Sequence, residues 1–331
     1  MLDFDGNYGQ LNLLALLPCP VKVPFERIFN EPATSWSDRV GMPLRYELVS
    51  NANQYQELYT YLDSCHRKED FPDMLLSSGF NRFYRRSFIE KFKYAGIWSA
   101  IERPKVNRSM EAAVVFDPDQ QYTLLAINPA VLVVDLQRWG DNALPRNFGD
   151  VLAPRCRGRV VFRGHKDDYC EGVLLRIYKE YGINGIKLLA QATPKGMHPA
   201  EMAKIMGNGQ AEGPVVAIMP LFFAKMIPKQ DRVAIIWPDD GALANPVTIL
   251  IKKEAQIDHQ EIVDFFAGQE LSQLLASVQM IPGFAQSQAT GEDRKLYWIG
   301  WDFINSHDLG QVVPWLTDAF IKTQREQFLC S

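Results

Sequence analysis

The strongest constraint on the fold is a strand–turn–strand between Val233 and Lys253. Val233-Ala234-Ile235-Ile236-Trp237 is an apolar run, Pro238-Asp239-Asp240-Gly241 follows, and Val247–Ile251 is a second apolar run ending on Lys252 and Lys253. Turn chemistry accounts for the middle. Pro presets its own φ, an Asp side chain bonds neighbouring backbone, and Gly accepts a positive φ. Beyond the second strand, Asp258-His259-Gln260-Glu261 reads as a capping box, with Ile262, Val263, Phe265 and Phe266 on one helix face. A further helix over about Glu270–Val278 is stopped by Ile281-Pro282-Gly283.

Along the rest of the chain, apolar runs of strand length alternate with longer helical patterns, which makes the class α/β. The strands are expected at Leu11–Leu17, Leu44–Ser50, Met74–Ser77, Ala112–Asp117, Tyr122–Ile127, Val131–Asp135, Val160–Phe162, Val215–Pro220, Val233–Trp237 and Val247–Ile251. The helices are expected at Pro24–Asn30, Gln54–His66, Phe83–Phe92, Tyr169–Tyr181, Ile183–Gln191, Pro199–Met206, the pair between His259 and Val278, and Val312–Phe328.

Several segments in this order resemble the iron-type periplasmic substrate-binding proteins of ABC importers. Leu11–Leu17 with Pro18-Cys19-Pro20 resembles the family's first strand and ligand loop. Pro72-Asp73-Met74-Leu75-Leu76-Ser77-Ser78-Gly79 resembles its third strand and loop. Pro145–Leu152 and Arg157–Phe162 resemble its Pro-x-(Ser/Asn)-aromatic-x-Asp-Leu-Leu segment and Lys-Gly-(Lys/Arg)-Ile strand. Tyr122–Val134 and the Pro238–Gly241 turn resemble the two crossings between lobes. The resemblance implies a two-lobed, type II periplasmic-binding-protein-like fold, each lobe a mixed sheet flanked by helices, with the ligand cleft between lobes. Residues 1–127 and 240–331 would form the first lobe and 128–239 the second. It implies hinge closure on a small molecule or ion, handed to an ABC permease if the protein is exported.

Composition narrows the function classes. The 331 residues are long for one domain and comfortable for two. A net charge of −4, with no basic stripe, gives no reason to expect nucleic acid. No apolar run reaches the ~20 residues that span a bilayer. A monomer is expected, with no cofactor. The first ten residues carry Asp3 and Asp5 and no basic residue, so no export signal is legible there. That leaves two locations open: extracytoplasmic, if a signal has been removed, or cytoplasmic. Five cysteines without CxxC spacing argue against zinc, and the odd number leans toward a reducing compartment or an anaerobic source. Cys156 and Cys170 bracket one strand, and their pairing is left open.

Strand-end loops supply the candidate ligand-binding residues, because open α/β sheets bind ligands at the carboxyl ends of their strands. Pro20 and Lys22 follow the first strand; the plain alternative is a shaped strand exit and a solvated lysine. Ser77, Ser78 and Asn81 offer hydroxyls and amides after the third, or else cap a helix. Iron-type members place a metal-binding carboxylate near Ser78. Gly164, His165, Lys166 and Asp167 form a third loop, where ferric members hold an anion on backbone amides. Asp168 with Glu171 reads more simply as a capping box. His165 with Asp167 lacks a third ligand, so no metal site is expected. Phe222 and Phe223 stand where ferric members carry adjacent tyrosines. A phenyl ring cannot ligate a hard cation, so tight ferric binding is not expected. Aromatic walls there suit an organic ligand or a cation held on π faces. Asp240 completes the set, although Asp239 and Asp240 read first as turn residues. There is no GxSxG, P-loop or HExxH, so no enzyme is expected. The rival readings are a cytosolic ligand sensor, or an enzyme on the same fold, thiamin-pyrimidine-synthase-like or transferase-type, with His165 reactive.

Overall fold

The computed structural model describes residues 8–50, 55–102, 105–165, 168–209, 213–284 and 294–328. Its strands of three residues or more are β1 (Leu13–Leu17), β2 (Tyr46–Ser50), β3 (Met74–Ser78), β4 (Thr123–Asp135), β5 (Val160–Phe162), β6 (Val216–Pro220), β7 (Val233–Ile236) and β8 (Ala242–Ile251). Its α-helices of five residues or more are α1 (Cys19–Val40), α2 (Tyr55–Ser64), α3 (Arg108–Ala112), α4 (Glu171–Ala192), α5 (Pro199–Ile205) and α6 (Leu221–Lys225), then α7 (Gln260–Ala267), α8 (Gln269–Ser277), α9 (Trp301–Ser306) and α10 (Leu309–Phe328).

The chain divides into two units, 1–127 with 246–292 and 128–245 with 293–331. It crosses between them along β4, along β8 and a third time between residues 292 and 293. The first two boundaries fall at an Asn-Pro pair, Asn128-Pro129 and Asn245-Pro246, where proline has no N–H to give to a ladder. The sequence reading placed residues 240–331 wholly in the first lobe. Residues 240–245 and 293–331 group instead with the second unit. The reason is packing. Phe320 of α10 is fully buried against the Tyr169 and Phe162 rings, 4.5 and 5.6 Å away, and Gln324 donates to the Thr193 carbonyl at 2.8 Å.

In the first unit, β1 lies between β2 and β3, parallel to both, and Val247–Ile251 of β8 runs antiparallel to β3. All five side chains of β1 are buried, as a strand covered on both faces requires. α1 begins at Cys19, well before the expected Pro24, and runs to Val40 through Pro24 and Pro32. An interior proline costs ~3 kcal/mol. Val21, Phe25, Phe29, Ala33 and Trp36 form its buried stripe, and Phe25 and Phe29 pack on Phe265. At roughly 1.5–3 kcal/mol per large apolar side chain, that stripe outweighs the prolines.

Three local expectations are corrected. Ala112–Asp117 is not a strand: Asn107 caps α3 in front of it, and Val114 sits at φ +52. Asp117 instead accepts the Gln121 and Tyr122 amides and pairs at 2.9 Å with the buried Lys93. Tyr122–Ile127 and Val131–Asp135 are one continuous strand, β4. Neither expected capping box forms. Asp258 ends a short helix and gives its carbonyl to Trp36 and Arg39, while Glu261 pairs with Arg39. Asp168 pairs with Arg163 at 2.9 Å, and Cys170 takes the cap position of α4.

In the second unit, Ala130–Asp135 of β4 is flanked by β6 and β7, both antiparallel, and β5 extends the sheet parallel to β6. Ala242 and Leu243 pair with Leu296 and Tyr297. No described helix is long and apolar enough to cross a membrane. Cys19, Cys65, Cys156 and Cys170 are free thiols, so the pairing left open for Cys156 and Cys170 is not made.

Candidate functional site

In the first unit the carboxyl ends of β1 and β3 lie on neighbouring parallel strands. Pro18 caps α1, so Pro20 and Lys22 sit in the first turn of a helix and not in a loop. Lys22 reaches Glu26 at 3.7 Å along the helix surface. Ser77 is buried opposite Thr248, and its hydroxyl has no hydrogen-bond partner among the described residues. Thr248 itself is held by the Tyr84 hydroxyl at 2.6 Å. Ser78 is half-buried at the strand end. Gly79 takes φ +80, a conformation glycine adopts at no steric cost, and donates to the Pro246 carbonyl at 2.8 Å. Asn81 is occupied in shaping this loop: its Oδ1 accepts the Phe83 amide and its Nδ2 donates to the Ser78 carbonyl. Ser77, Ser78 and Asn81 therefore belong to one built turn, with Ser78 its more open hydroxyl.

In the second unit, three segments meet at the carboxyl ends of β5 and β6. After β5, Gly164-His165 pairs with Asp168-Tyr169 in a short hairpin; Lys166 and Asp167 between them lie outside the described residues. His165 is exposed. The second segment, Lys195–His198, runs beside the first. Met197 donates to the Phe162 carbonyl at 3.1 Å, and Gly164 donates to the Met197 carbonyl at 3.4 Å. Glycine is required there, since a Cβ on Gly196 would stand 2.5 Å from the Gly164 Cα. After β6, Pro220 opens α6 and places Phe222 and Phe223, both half-buried, on its first turn. Their rings meet edge to face at 5.2 Å, and Phe223 meets the His198 ring at 6.1 Å.

His198 joins these segments and was missed in the sequence reading. It caps α5: its Nδ1 accepts the Ala200 amide at 3.2 Å, while Glu201 accepts its backbone N–H. A ring nitrogen that accepts carries no proton, so in the neutral ring the proton is on Nε2. The signal was His198-Pro199-Ala200-Glu201, a capping box with proline at the first helical position.

Asp240 is used elsewhere. Its carboxylate pairs at 2.6 Å with Arg176, a guanidinium lying 3.7 Å from the Phe148 ring centre and 4.1 Å from that of Tyr297. Arg176 also donates to the Gly241 carbonyl at 2.7 Å. Burial pulls the Arg176 pKa down, and Asp240 opposes that pull. Asp239 points away, to Arg146 at 2.6 Å. Among the described residues no cluster of three His, Cys, Asp or Glu side chains could hold a metal ion.

A sequence profile of bacterial extracellular solute-binding proteins matches residues 69–307. The chain belongs to that family. Solved structures agree on the fold. Apo ferric ion-binding protein A of Pasteurella haemolytica superposes with a TM-score of 0.63 at 15% identity, covering 95% of this chain and 98% of that one. An ABC transporter structure from Clostridium perfringens gives 0.59 at 16%, covering 96% and 100%. The Trichodesmium IdiA (FutA) protein, in complex with iron and citrate, gives 0.59 at 13%, covering 96% and 98%. No curated protein matches the sequence significantly. In this solute-binding protein the end of β6 carries two phenyl rings, and the histidine beside them offers a nitrogen–hydrogen donor.

Proposed function

We propose that this protein is the solute receptor of an ABC importer, that it binds without catalysis, and that its solute is an organic molecule rather than a ferric ion. Family membership supports the receptor role, since solute-binding proteins bind small ligands and deliver them to ABC permeases. Delivery to a permease would place the working protein outside the cytoplasm.

The observation that carries the choice of ligand is the pair Phe222–Phe223 at the end of β6. Hard cations take oxygen donors, and these rings have none. A half-buried edge-to-face aromatic pair instead offers apolar area and a π surface, the lining that organic-ligand sites use. In the first unit, Ser78 is the contact we favour, because Asn81 is already occupied by its own loop.

Adding ferric citrate and following visible absorbance tests the reading. The expected result is no tyrosinate-to-iron charge-transfer band. Such a band, saturating with sub-micromolar affinity, would make ferric ion the cargo and the reading wrong.

A further inference from the structure

Resting on that reading, we infer that the second unit's site takes an aromatic carboxylate, with the ring on Phe222 and Phe223 and the carboxylate on Nε2–H of His198. The argument begins with the cap. Ser, Thr, Asp and Asn are the favoured capping residues, and each would serve α5. Histidine caps through one nitrogen and retains a second. Here Nδ1 is held by the Ala200 amide, so the ring cannot turn without breaking the cap. Nε2 has no partner among the described residues, and the side chain is exposed. The result is a fixed N–H donor beside the Phe223 ring.

That donor decides between the two ligand kinds an aromatic wall accommodates. A cation over the rings would meet the positive end of the Nε2–H bond. An acceptor meets it favourably, and a charged acceptor more so. The surrounding charges agree. Glu201 is engaged with the His198 amide and Asp168 with Arg163. Lys195, three residues before His198, and Lys225 on α6 are exposed and have no ion pair among the described residues. The strand end therefore presents an N–H donor next to apolar rings, the complement of a planar apolar body bearing a carboxylate.

Isothermal titration of the full chain with benzoate, benzyl alcohol and benzylamine tests this. Wild type should prefer benzoate to both. His198→Ser keeps a capping hydroxyl, so the fold should hold, and it should weaken benzoate roughly ten- to a hundred-fold, the size of a lost hydrogen bond to a charge. The same change should leave benzyl alcohol within about three-fold, below the tenfold that one net hydrogen bond is worth. Phe223→Leu should weaken all three probes together. Benzoate binding unchanged in His198→Ser overturns the inference, as does a preference for benzylamine or a wild type that binds none of the three. If the protein carries another organic solute and His198→Ser leaves it bound, this inference fails while the proposed function stands. A ferric charge-transfer band would instead defeat the function itself.

Discussion

Arg176 shows how little of a residue's role its position along the chain discloses. It interrupts the apolar run Val173-Leu174-Leu175 and Ile177 on α4, and its side chain is fully buried. A charge inside such a run signals a partner, but the sequence does not say which. The partner is Asp240, 64 residues on, in a turn whose two aspartates both read first as turn residues. They point apart: Asp240 turns in to Arg176 and Asp239 turns out to Arg146. Removing one member of a buried pair leaves the other's desolvation uncompensated. Asp240 is about one-third exposed, which discounts that cost. Arg176→Met should therefore destabilise the second unit by about 2–4 kcal/mol in urea unfolding. Asp240→Asn leaves the fully buried Arg176 cation with only two ring faces and the Gly241 carbonyl, so it should cost at least as much. An Arg176→Met protein as stable as wild type would mean that the pair holds nothing in place.

Elements were legible where one periodicity dominated. β1, β3 and β6 are short apolar runs between turn residues, and their sequence patterns suffice. Proline misled at α1, because local chemistry argues for a start at Pro24 while the stripe from Val21 to Trp36 extends the helix in both directions. Ala112–Asp117 misled in the opposite sense. Its apolar residues fit a strand, but the carboxylate of Asp117 gathers backbone amides and Lys93 into a turn. The loops at the end of β5 were legible as loops. Their meeting with Lys195–His198 was not, because it rests on Gly164 and Gly196 approaching with no side chain between them. Gly196→Ala places a methyl 2.5 Å from backbone, so that segment must withdraw. The expected cost is about 1–3 kcal/mol, as for an overpacked site, with weaker solute binding because His198 moves with the segment. A crystal structure of Gly196→Ala with Met197 still paired to Phe162, and binding unchanged, would show that the approach does not position His198.

At the scale of the whole chain, the order of segments located the family, and the profile match over residues 69–307 supports it independently. What order cannot supply is the solute. Ligand identity resides in a few side chains at strand ends, and the solved structures that share this fold differ from this chain at more than four positions in five. Physical reading of Phe222, Phe223 and His198 therefore has to carry that decision. The most direct test is native mass spectrometry of the protein purified from its own source, compared with a Phe222→Ala/Phe223→Ala variant prepared in the same way. The account predicts a retained organic acid of a few hundred daltons or less on the wild-type chain, lost from the variant. A retained ferric ion, or an organic ligand held equally by both proteins, would contradict it.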